Sequence, residues 1–349
     1  MPLDERKLQD RKEELFLSLK RNNLEPIIPN YENLSLWFSK DAQMKLGKLR
    51  ACIENLRNDD YKDFFFICFS SIIRKVALAD PNIPPPVVLK PEKYRKAAAR
   101  YKEMKEFLHR NQKPNVTDVF KESIEKNENR IRNLNKIREV LKRKIRARIV
   151  WDDSRNPKLG RITRMGRIEK KWARNFKDNS IGLIITSPPY ITAQKYIRTT
   201  KLELLWLGLA DYKGLVDLDR NTIGSERVKT TDEIIETGIS EIDSLCNKIA
   251  KISKDRAIMM NKYFNDMKTV MRNAYRILKR NGRMILVIGN NKISGYTVRT
   301  YKLLARVGET IGFKNELILK DKIRSRGMIT KRHANGGLIE DEFVVMLKK

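Results

Sequence analysis

A run of apolar residues, Ile181 to Thr186, stops abruptly at Ser187-Pro188-Pro189-Tyr190. The run has the length of a buried strand, and proline cannot continue a central strand because it lacks an N–H donor. Two consecutive prolines also fix φ at two positions and extend the residue before them. The sequence therefore predicts a strand followed by a rigid loop that presents carbonyl acceptors to its surroundings.

Strand and helix patterns alternate along the second half of the chain. Two more strands are predicted in KIRARIVWDD and in GRMILVIGNN, which is entered through a turn at Asn281-Gly282. Helical patterns fall between the strands, which indicates an α/β fold with a parallel sheet covered on both faces. Two further β-rich runs, NELILKD and DEFVVMLKK, are expected to pair as an edge hairpin.

The loop after the apolar strand is the expected ligand site. In doubly wound sheets ligands bind beyond the carboxyl ends of the strands, which is where Ser187 to Tyr190 would lie. Tyr190 offers an aromatic face for stacking, and Ser187 offers a hydroxyl that donates or accepts a hydrogen bond. Together these groups suit a flat substrate that carries an amine.

The first part of the chain has helical patterns only. The apolar stretch from Asp63 to Ala79 is too long for a strand and is predicted to be a buried helix. Apolar residues recur at helical spacing from Phe120 to Ile145, which predicts one long amphipathic helix. We therefore expect a mainly helical region over residues 1–145 and an α/β region over residues 146–349, with an insert at about 211–257.

Composition favours a polyanionic partner. Lys and Arg number 74 against 43 Asp and Glu, a formal charge of +31, so nucleic acid is the first expectation and a general solubility effect is the alternative. The three cysteines are isolated and only two histidines occur, so we expect no zinc site or disulfide framework. No stretch reaches the ~18 apolar residues of a membrane span, which predicts a cytoplasmic protein.

These motifs resemble those of the DNA amino-methyltransferases, which transfer a methyl group from S-adenosylmethionine to an exocyclic base amine. Their motif IV has Asp, Asn or Ser before Pro-Pro and an aromatic residue, as in Ser187-Pro188-Pro189-Tyr190, and the resemblance covers about residues 145–349. It implies that the Ser187 side chain and the Pro188 carbonyl hold the amine hydrogens, while Tyr190 stacks on a flipped base. The serine favours N4 of cytosine over N6 of adenine.

The resemblance also implies a cofactor contact upstream of this motif. ARIVWDDSRN is similar to the strand-then-acid motif that contacts the adenine of S-adenosylmethionine, with Asp153 at the matching acid and Ser154 beside it. Ser187 is expected to border the cofactor as well. Two alternatives stay open: Asp152 is the contact instead, or Asp153 only caps a helix or turn.

One expected part of the family pattern is missing. The Gly-rich loop that admits the methionine end of the cofactor needs a G-x-G spacing, and no such triplet occurs in the chain. Three explanations compete: a split enzyme whose second subunit carries the loop, a diverged loop, and an inactive relative that still binds nucleic acid. The split heterodimer is favoured because the other motifs are present. Methylation of RNA is a lesser alternative.

Basic residues between the two motifs form the expected DNA contact. In PKLGRITRMGRIEKKWAR they recur at about helical spacing and predict a cationic stripe for duplex phosphates, although a solvated helix face is an equal alternative: Arg161, Arg164, Arg167, Lys170, Lys171 and Arg174. Target recognition is not placed by the sequence. Its candidates are residues 211–257, the basic region from Pro91 to Arg148, and the partner.

Overall fold

The computed structural model describes residues 2–21, 23–145, 147, 153–159, 174–191, 196–229, 231–323 and 341–349. The chain divides into two compact units. The first comprises Met1–Arg148 and Tyr196–Val216, and the second comprises Ile149–Lys195 and Asp217–Lys349. The predicted limits at residues 145 and 146 stay a prediction. Among the described residues, no helix has the length and apolarity needed to cross a membrane.

Helices build the first unit, as the sequence predicts. They pack around an apolar core that includes Leu8, Phe38, Phe65 and Phe69. The helices in this part are α1 (Glu5–Arg21), α2 (Lys40–Asn55), α3 (Asp60–Ile72), α4 (Ala98–Arg110), α5 (Val116–Asn135), α6 (Arg138–Leu141) and α7 (Tyr196–Trp206), and α8 (Tyr212–Asn221) crosses the boundary between the units.

Helix α3 is shorter than the predicted span of Asp63 to Ala79. It begins after Asp59, whose side chain caps the helix by accepting from the N–H groups of Tyr61 and Lys62, each at 3.1 Å. After Ile72 the chain continues in a tight turn, in which the Lys75 N–H donates to the Ile72 carbonyl at 2.9 Å, and the Leu78 N–H then donates to the Trp37 carbonyl at 2.7 Å. The apolar pattern of the sequence continues past Ile72 because the residues that follow are buried, although they are not helical.

The predicted helix from Phe120 to Ile145 is broken in two. Phe120 and Ile124 are buried on α5, which ends at Asn135, where the side-chain amide donates to the Leu3 carbonyl at 2.9 Å. Beyond this point no part of the chain that the structure describes covers the apolar side chains, since Leu141 and Ile145 are 56% and 59% exposed. Without tertiary packing a helix gains little stability, and only the short α6 follows.

The second unit contains the sheet. Its remaining elements are β1 (Lys158–Leu159), β2 (Arg174–Asn175), β3 (Ile181–Thr186), α9 (Ser240–Ala250), α10 (Lys254–Ile277), β4 (Leu278–Gly289), β5 (Asn291–Ile293), β6 (Tyr296–Val298), α11 (Thr300–Ile311), β7 (Lys314–Lys322) and β8 (Asp341–Lys348). Four of the strands form one sheet in the order β3-β4-β8-β7, while β1 pairs with β2 and β5 with β6. The α/β class and the helical N-terminal region are confirmed.

The four-stranded sheet is mixed rather than parallel. Strands β3 and β4 are parallel, with Thr186 opposite Leu286, whereas β8 is antiparallel to both β4 and β7. The predicted hairpin is confirmed, and β7 is its outer strand. The predicted turn at Asn281-Gly282 lies inside β4 instead, where Asn281 has φ +61 and the register with β3 shifts.

Only one face of this sheet is covered in the described part of the chain. Alternate residues of β4 and β8, such as Met284, Leu286 and Val345, are buried together with α10 and α11 residues. On the opposite face Leu183 and Ile185 of β3 are 50% and 65% exposed. The expectation of a sheet covered on both faces therefore fails for the described residues, because α10 and α11 pack on the same side.

Candidate active site

The Ser187–Tyr190 loop lies at the carboxyl end of the parallel strand pair. Strand β3 ends at Thr186 opposite Leu286, and β4 continues to Gly289 beside the loop. Parallel pairing places the ends of both strands at the same edge of the sheet, so the loop sits at the edge where ligands bind in α/β folds. Ser187 is exposed, Pro188 is buried, and Tyr190 is half-buried.

Two polar side chains anchor the end of this loop. The Tyr190 hydroxyl donates to Oε1 of Glu342, at the start of β8, at 2.5 Å. The carbonyl of the fully buried Ile191 accepts from Nδ2 of Asn291 at 2.8 Å, and the hydroxyl of Thr300 donates to Oδ1 of Asn291 at 3.3 Å. The aromatic ring is therefore held in place by its own hydroxyl and by the backbone that follows it.

A glycine turn packs against the same loop. Gly224 has φ +79, a conformation that favours glycine, and a Cβ there would lie 3.4 Å from the Tyr190 carbonyl oxygen and 3.5 Å from Cβ of Pro189. Cδ2 of Tyr263, on α10, lies 3.6 Å from the same position. The turn therefore packs against both the loop and α10.

Sequence reasoning missed Glu342, Asn291 and Gly224. Glu342 is the second residue of β8, and Asn291 follows the strand that ends at Gly289, so both lie at strand ends where site residues collect. Their position at strand ends was the signal in the sequence that could have identified them. Their contacts with residues 100 and 152 positions away depend on the strand order, which the sequence pattern does not contain.

Asn290 adds an acceptor at this edge of the sheet. Its Oδ1 atom is buried and has no hydrogen-bond partner among the described residues. A buried acceptor without a partner is unfavourable by about 1–3 kcal/mol unless a ligand or water satisfies it. Asn290 follows β4 directly, beside the strand that carries Ser187, so it is a further candidate for binding a donor group.

Asp153 is engaged by Arg155. The Arg155 guanidinium donates to both carboxylate oxygens of Asp153, with Nε–Oδ1 and Nη2–Oδ2 distances of 3.0 Å, and its Nη1 reaches Asp266 of α10 at 3.2 Å. Burial would raise the pKa of Asp153, but the hydrogen bonds from Arg155 outweigh it and the pKa is lowered. Burial raises the pKa of Asp266, and Arg155 only partly opposes the shift.

This pairing bears on the predicted cofactor contact. Both Asp153 oxygens already accept hydrogen bonds, so a ribose or adenine donor would share them with Arg155, while Ser154 is exposed. The main chain of this segment is tied to α10, because Nδ2 of Asn273 donates to the Arg155 carbonyl at 2.8 Å. The alternative residue Asp152 lies outside the described residues.

The predicted cationic stripe falls mostly on residues that the structure does not describe: Arg161, Arg164, Arg167, Lys170 and Lys171. Arg174 is described, and the helical prediction is wrong there, since Arg174 begins β2 opposite Leu159 of β1. Its backbone pairs across two strands, which a helical residue cannot do. The DNA-binding role of the stripe stays a prediction.

Several polar groups at this edge of the sheet can accept hydrogen bonds. They are the Ser187 hydroxyl, the proline-loop carbonyls and the Asn290 amide oxygen, and they suit a ligand that donates N–H groups. Within the described ranges, no group of three or more His, Cys, Asp or Glu side chains is arranged to hold a metal ion.

Comparison with known proteins agrees with this geometry. Residues 181–347 match the model of the DNA methylase family. Type II methyltransferase M.MvaI of Kocuria varians is 22% identical over 342 residues, which is 92% of this chain and 67% of that protein. Type II methyltransferase M.AvaI of Nostoc sp. strain PCC 7120 is 24% identical over 160 residues, so the alignment covers 41% of this chain and 33% of M.AvaI.

Solved structures give a weaker likeness. TTHA0409 of Thermus thermophilus, a proposed DNA modification methylase, has a TM-score of 0.24 at 17% identity, covering 50% of this chain and 47% of that chain. The same protein complexed with S-adenosyl-L-methionine has a TM-score of 0.25. The family match instead rests on the sequence from β3 to β8, which contains the Ser187–Tyr190 loop and its anchors. Residues 181–347 are therefore similar to the DNA methylase family.

Proposed function

We propose that this chain methylates an exocyclic amine of a DNA base, with N4 of cytosine favoured over N6 of adenine. The observation that carries the proposal is the Ser187–Tyr190 loop at the carboxyl end of β3, with an exposed Ser187 and a Tyr190 ring fixed through Glu342. The family match over residues 181–347 supports a DNA substrate.

The loop is suited to activate an amine. An exocyclic amine is a poor nucleophile because its lone pair is delocalised into the base, and it becomes reactive only as the nitrogen turns tetrahedral. Acceptors aimed at its two hydrogens stabilise that change. Ser187 provides a hydroxyl, and Pro188 provides a carbonyl while Pro188 and Pro189 remove two competing N–H donors. The amine proton then leaves to solvent after the new C–N bond forms.

Tyr190 positions the base. An aromatic ring stacks on a base that has left the duplex, since every base has a π face and flipping exposes it. The hydrogen bond to Glu342 restricts rotation and displacement of the ring, so the base meets a prepared surface. No covalent attachment to the enzyme is required, in agreement with three cysteines that are all buried.

The cofactor is S-adenosylmethionine, which supplies an electrophilic methyl group when bound. The described residues fit part of it: Ser187 and the unpartnered Asn290 oxygen lie at the sheet edge, and Asp153 and Ser154 are the proposed adenine contacts. They do not fit all of it, because no G-x-G triplet occurs in the chain to admit the methionine carboxylate. We propose that a second polypeptide supplies this loop.

The sheet offers a place for such a partner. In the described part of the chain, β3 pairs with β4 on one side and with no strand on the other. Its open face carries an apolar row that crosses all four strands, formed by Ile185, Ile285, Met346 and Leu317. An added strand beside β3 would satisfy its free N–H and C=O groups and place a new strand end next to Ser187.

The test is methyl transfer measured with and without the co-purifying protein. The chain is purified from its host, and tritium transfer from labelled S-adenosylmethionine to DNA is measured for the complex and for the chain alone. We expect activity in the complex, its loss in Ser187→Ala and Tyr190→Ala, and retention in the control Ser240→Ala on the exposed start of α9. Full activity of both loop variants would overturn the catalytic assignment.

A second function is favoured by two observations. Both oxygens of Asp153 are engaged by Arg155 and the Gly-rich loop is absent, which is compatible with an inactive relative that binds nucleic acid only. Calorimetric titration with S-adenosylmethionine separates the two functions. Binding that appears only with the co-purifying protein supports the split enzyme, whereas no binding in either state supports the inactive subunit.

A further inference from the structure

A cationic pocket lies in the first unit and shares no residue with the candidate active site. It has a volume of about 400 Å³ and is open to solvent on one side. Its walls come from three parts of that unit: a residue shortly before α2, the segment that precedes and enters the short 3-10 helix Pro91–Tyr94, and the first turns of α7. The lining residues are Trp37, Pro86, Val87, Val88, Lys90, Lys93, Arg198 and Lys201.

The floor of the pocket holds one cation in a fixed position. Trp37 is only 8% exposed, and the Nζ atom of the half-buried Lys201 lies 3.8 Å from the centroid of its ring. A cation over an indole face is attracted by the ring quadrupole, so the ammonium is held where it is instead of moving freely in solvent. The pocket thus contains a positioned charge, which a solvated lysine does not provide.

The charges around this pocket are not neutralised. Lys90, Lys93, Arg198 and Lys201 all line it, and the lining includes no carboxylate. None of the four forms an ion pair within the described ranges, whereas Lys12 in the same unit pairs with the largely buried Glu128 at 2.9 Å. Four like charges converging on one concavity repel one another, so an anion bound there would relieve the repulsion.

Burial strengthens this argument at Lys201. The pKa of Lys201 is lowered first by desolvation and then by the neighbouring Arg198. Both effects disfavour the ammonium, and both are offset when an anion binds beside it. Glu203, two residues later on α7, has its pKa raised by burial and does not line the pocket.

We propose that this pocket binds a phosphodiester group of the DNA backbone and so positions the duplex on the enzyme. Lys90, Lys93, Arg198 and Lys201 would surround the phosphate, and Pro86, Val87 and Val88 would contact the adjoining sugar. The inference rests on the function proposed above, because it takes DNA as the partner. The apolar sugar wall, without a side-chain acceptor for a 2′-hydroxyl, favours DNA over RNA.

The test is the salt dependence of DNA binding by the full chain. Binding of a fluorescent duplex is followed by anisotropy at several salt concentrations for a variant with three changes: Lys90→Gln, Arg198→Gln and Lys201→Gln. Because the pocket holds one phosphate, the triple variant should reduce the slope of log K against log salt by about 0.9 and should weaken binding about eightfold at 0.1 M salt. The loss should be the same for all DNA sequences, because the contact does not read bases.

A matched control removes the same charge from another part of the unit. Lys7, Lys20 and Lys126 are exposed on α1 and α5 and do not line the pocket, so their triple Gln variant should bind DNA nearly as the wild type does. An equal loss in both variants would overturn the pocket and leave only general charge. If Lys201→Gln lowers the melting temperature, Lys201→Arg should restore both folding and DNA binding. In that case the salt dependence is measured on the double variant of the exposed residues, Lys90→Gln with Arg198→Gln, in place of the triple variant.

Two further arms distinguish the ligand. Inorganic phosphate should displace no more DNA than another salt does at the same ionic strength. An RNA duplex should bind almost equally to the wild type and to the pocket variant. The opposite result in either experiment overturns the assignment to DNA. A wild-type chain that binds DNA through the pocket while its complex transfers no methyl group would support this inference and contradict the proposed function. An active complex whose pocket variant binds DNA as the wild type does would support the proposed function and contradict this inference.

Discussion

The hydrogen bond between Tyr190 and Glu342 provides a quantitative test of the site. Its O···O distance is 2.5 Å, and both side chains are half-buried, so the bond is partly protected from water. Hydrogen bonds to a charged group contribute about 1.5–3 kcal/mol, which corresponds to about a 10- to 150-fold change in an equilibrium or rate constant. Glu342→Ala is therefore expected to lower kcat/KM for methyl transfer by that factor while the protein stays folded.

The assay uses the complete complex with a double-mutant cycle. Tyr190→Phe keeps the stacking ring but removes the hydroxyl, so it should cost nearly as much as Glu342→Ala, and the double variant should cost little more than either. The control Asp341→Asn, on the adjacent residue, disturbs only the ion pair with the exposed Lys320 and should have little effect. Additive losses in the double variant would refute the claim that Glu342 acts by positioning Tyr190.

Three further predictions concern folding and reactivity. Gly308→Val should destabilise the protein by about 1–3 kcal/mol in chemical denaturation, because a Cβ there would lie 2.8 Å from Cδ1 of Leu347; an unchanged midpoint would contradict the packing. Asp59→Ala removes the cap of α3 and should cost about 1 kcal/mol by the same measurement, whereas Asp59→Asn should retain most of it. Burial raises the pKa of Cys68 to about 12 and that of Cys246 to about 11, so neither thiol should react with iodoacetamide at pH 8 until the protein is unfolded, as read by mass spectrometry.

Local sequence patterns predicted the site loop well. Apolar length and two prolines are enough to end β3 at Thr186 and to place Ser187 at the sheet edge, because both effects act within a few residues. The hairpin of β7 and β8 was likewise predicted from two β-rich runs. The motif and its position therefore depend on short-range chemistry, which the sequence contains.

Long-range contacts explain what the sequence did not predict. The helix from Phe120 was extended too far because periodicity persists to Ile145, although this side chain is 59% exposed. The mixed sheet depends on β8 inserting between β4 and β7, and that strand order brings Glu342 to Tyr190. The Trp37 pocket joins three segments whose side chains have no pattern in common, so only the folded unit brings them together.

The central claim is that the Ser187–Tyr190 loop directs methyl transfer to a base amine in DNA. The most direct measurement is mass spectrometry of nucleosides from DNA incubated with S-adenosylmethionine and the complex purified from its host. The wild-type complex should produce N4-methyldeoxycytidine, and the Ser187→Ala complex should produce none while still assembling. A methylated product that is unchanged in Ser187→Ala, or methyl groups found only on RNA or protein, would contradict the account.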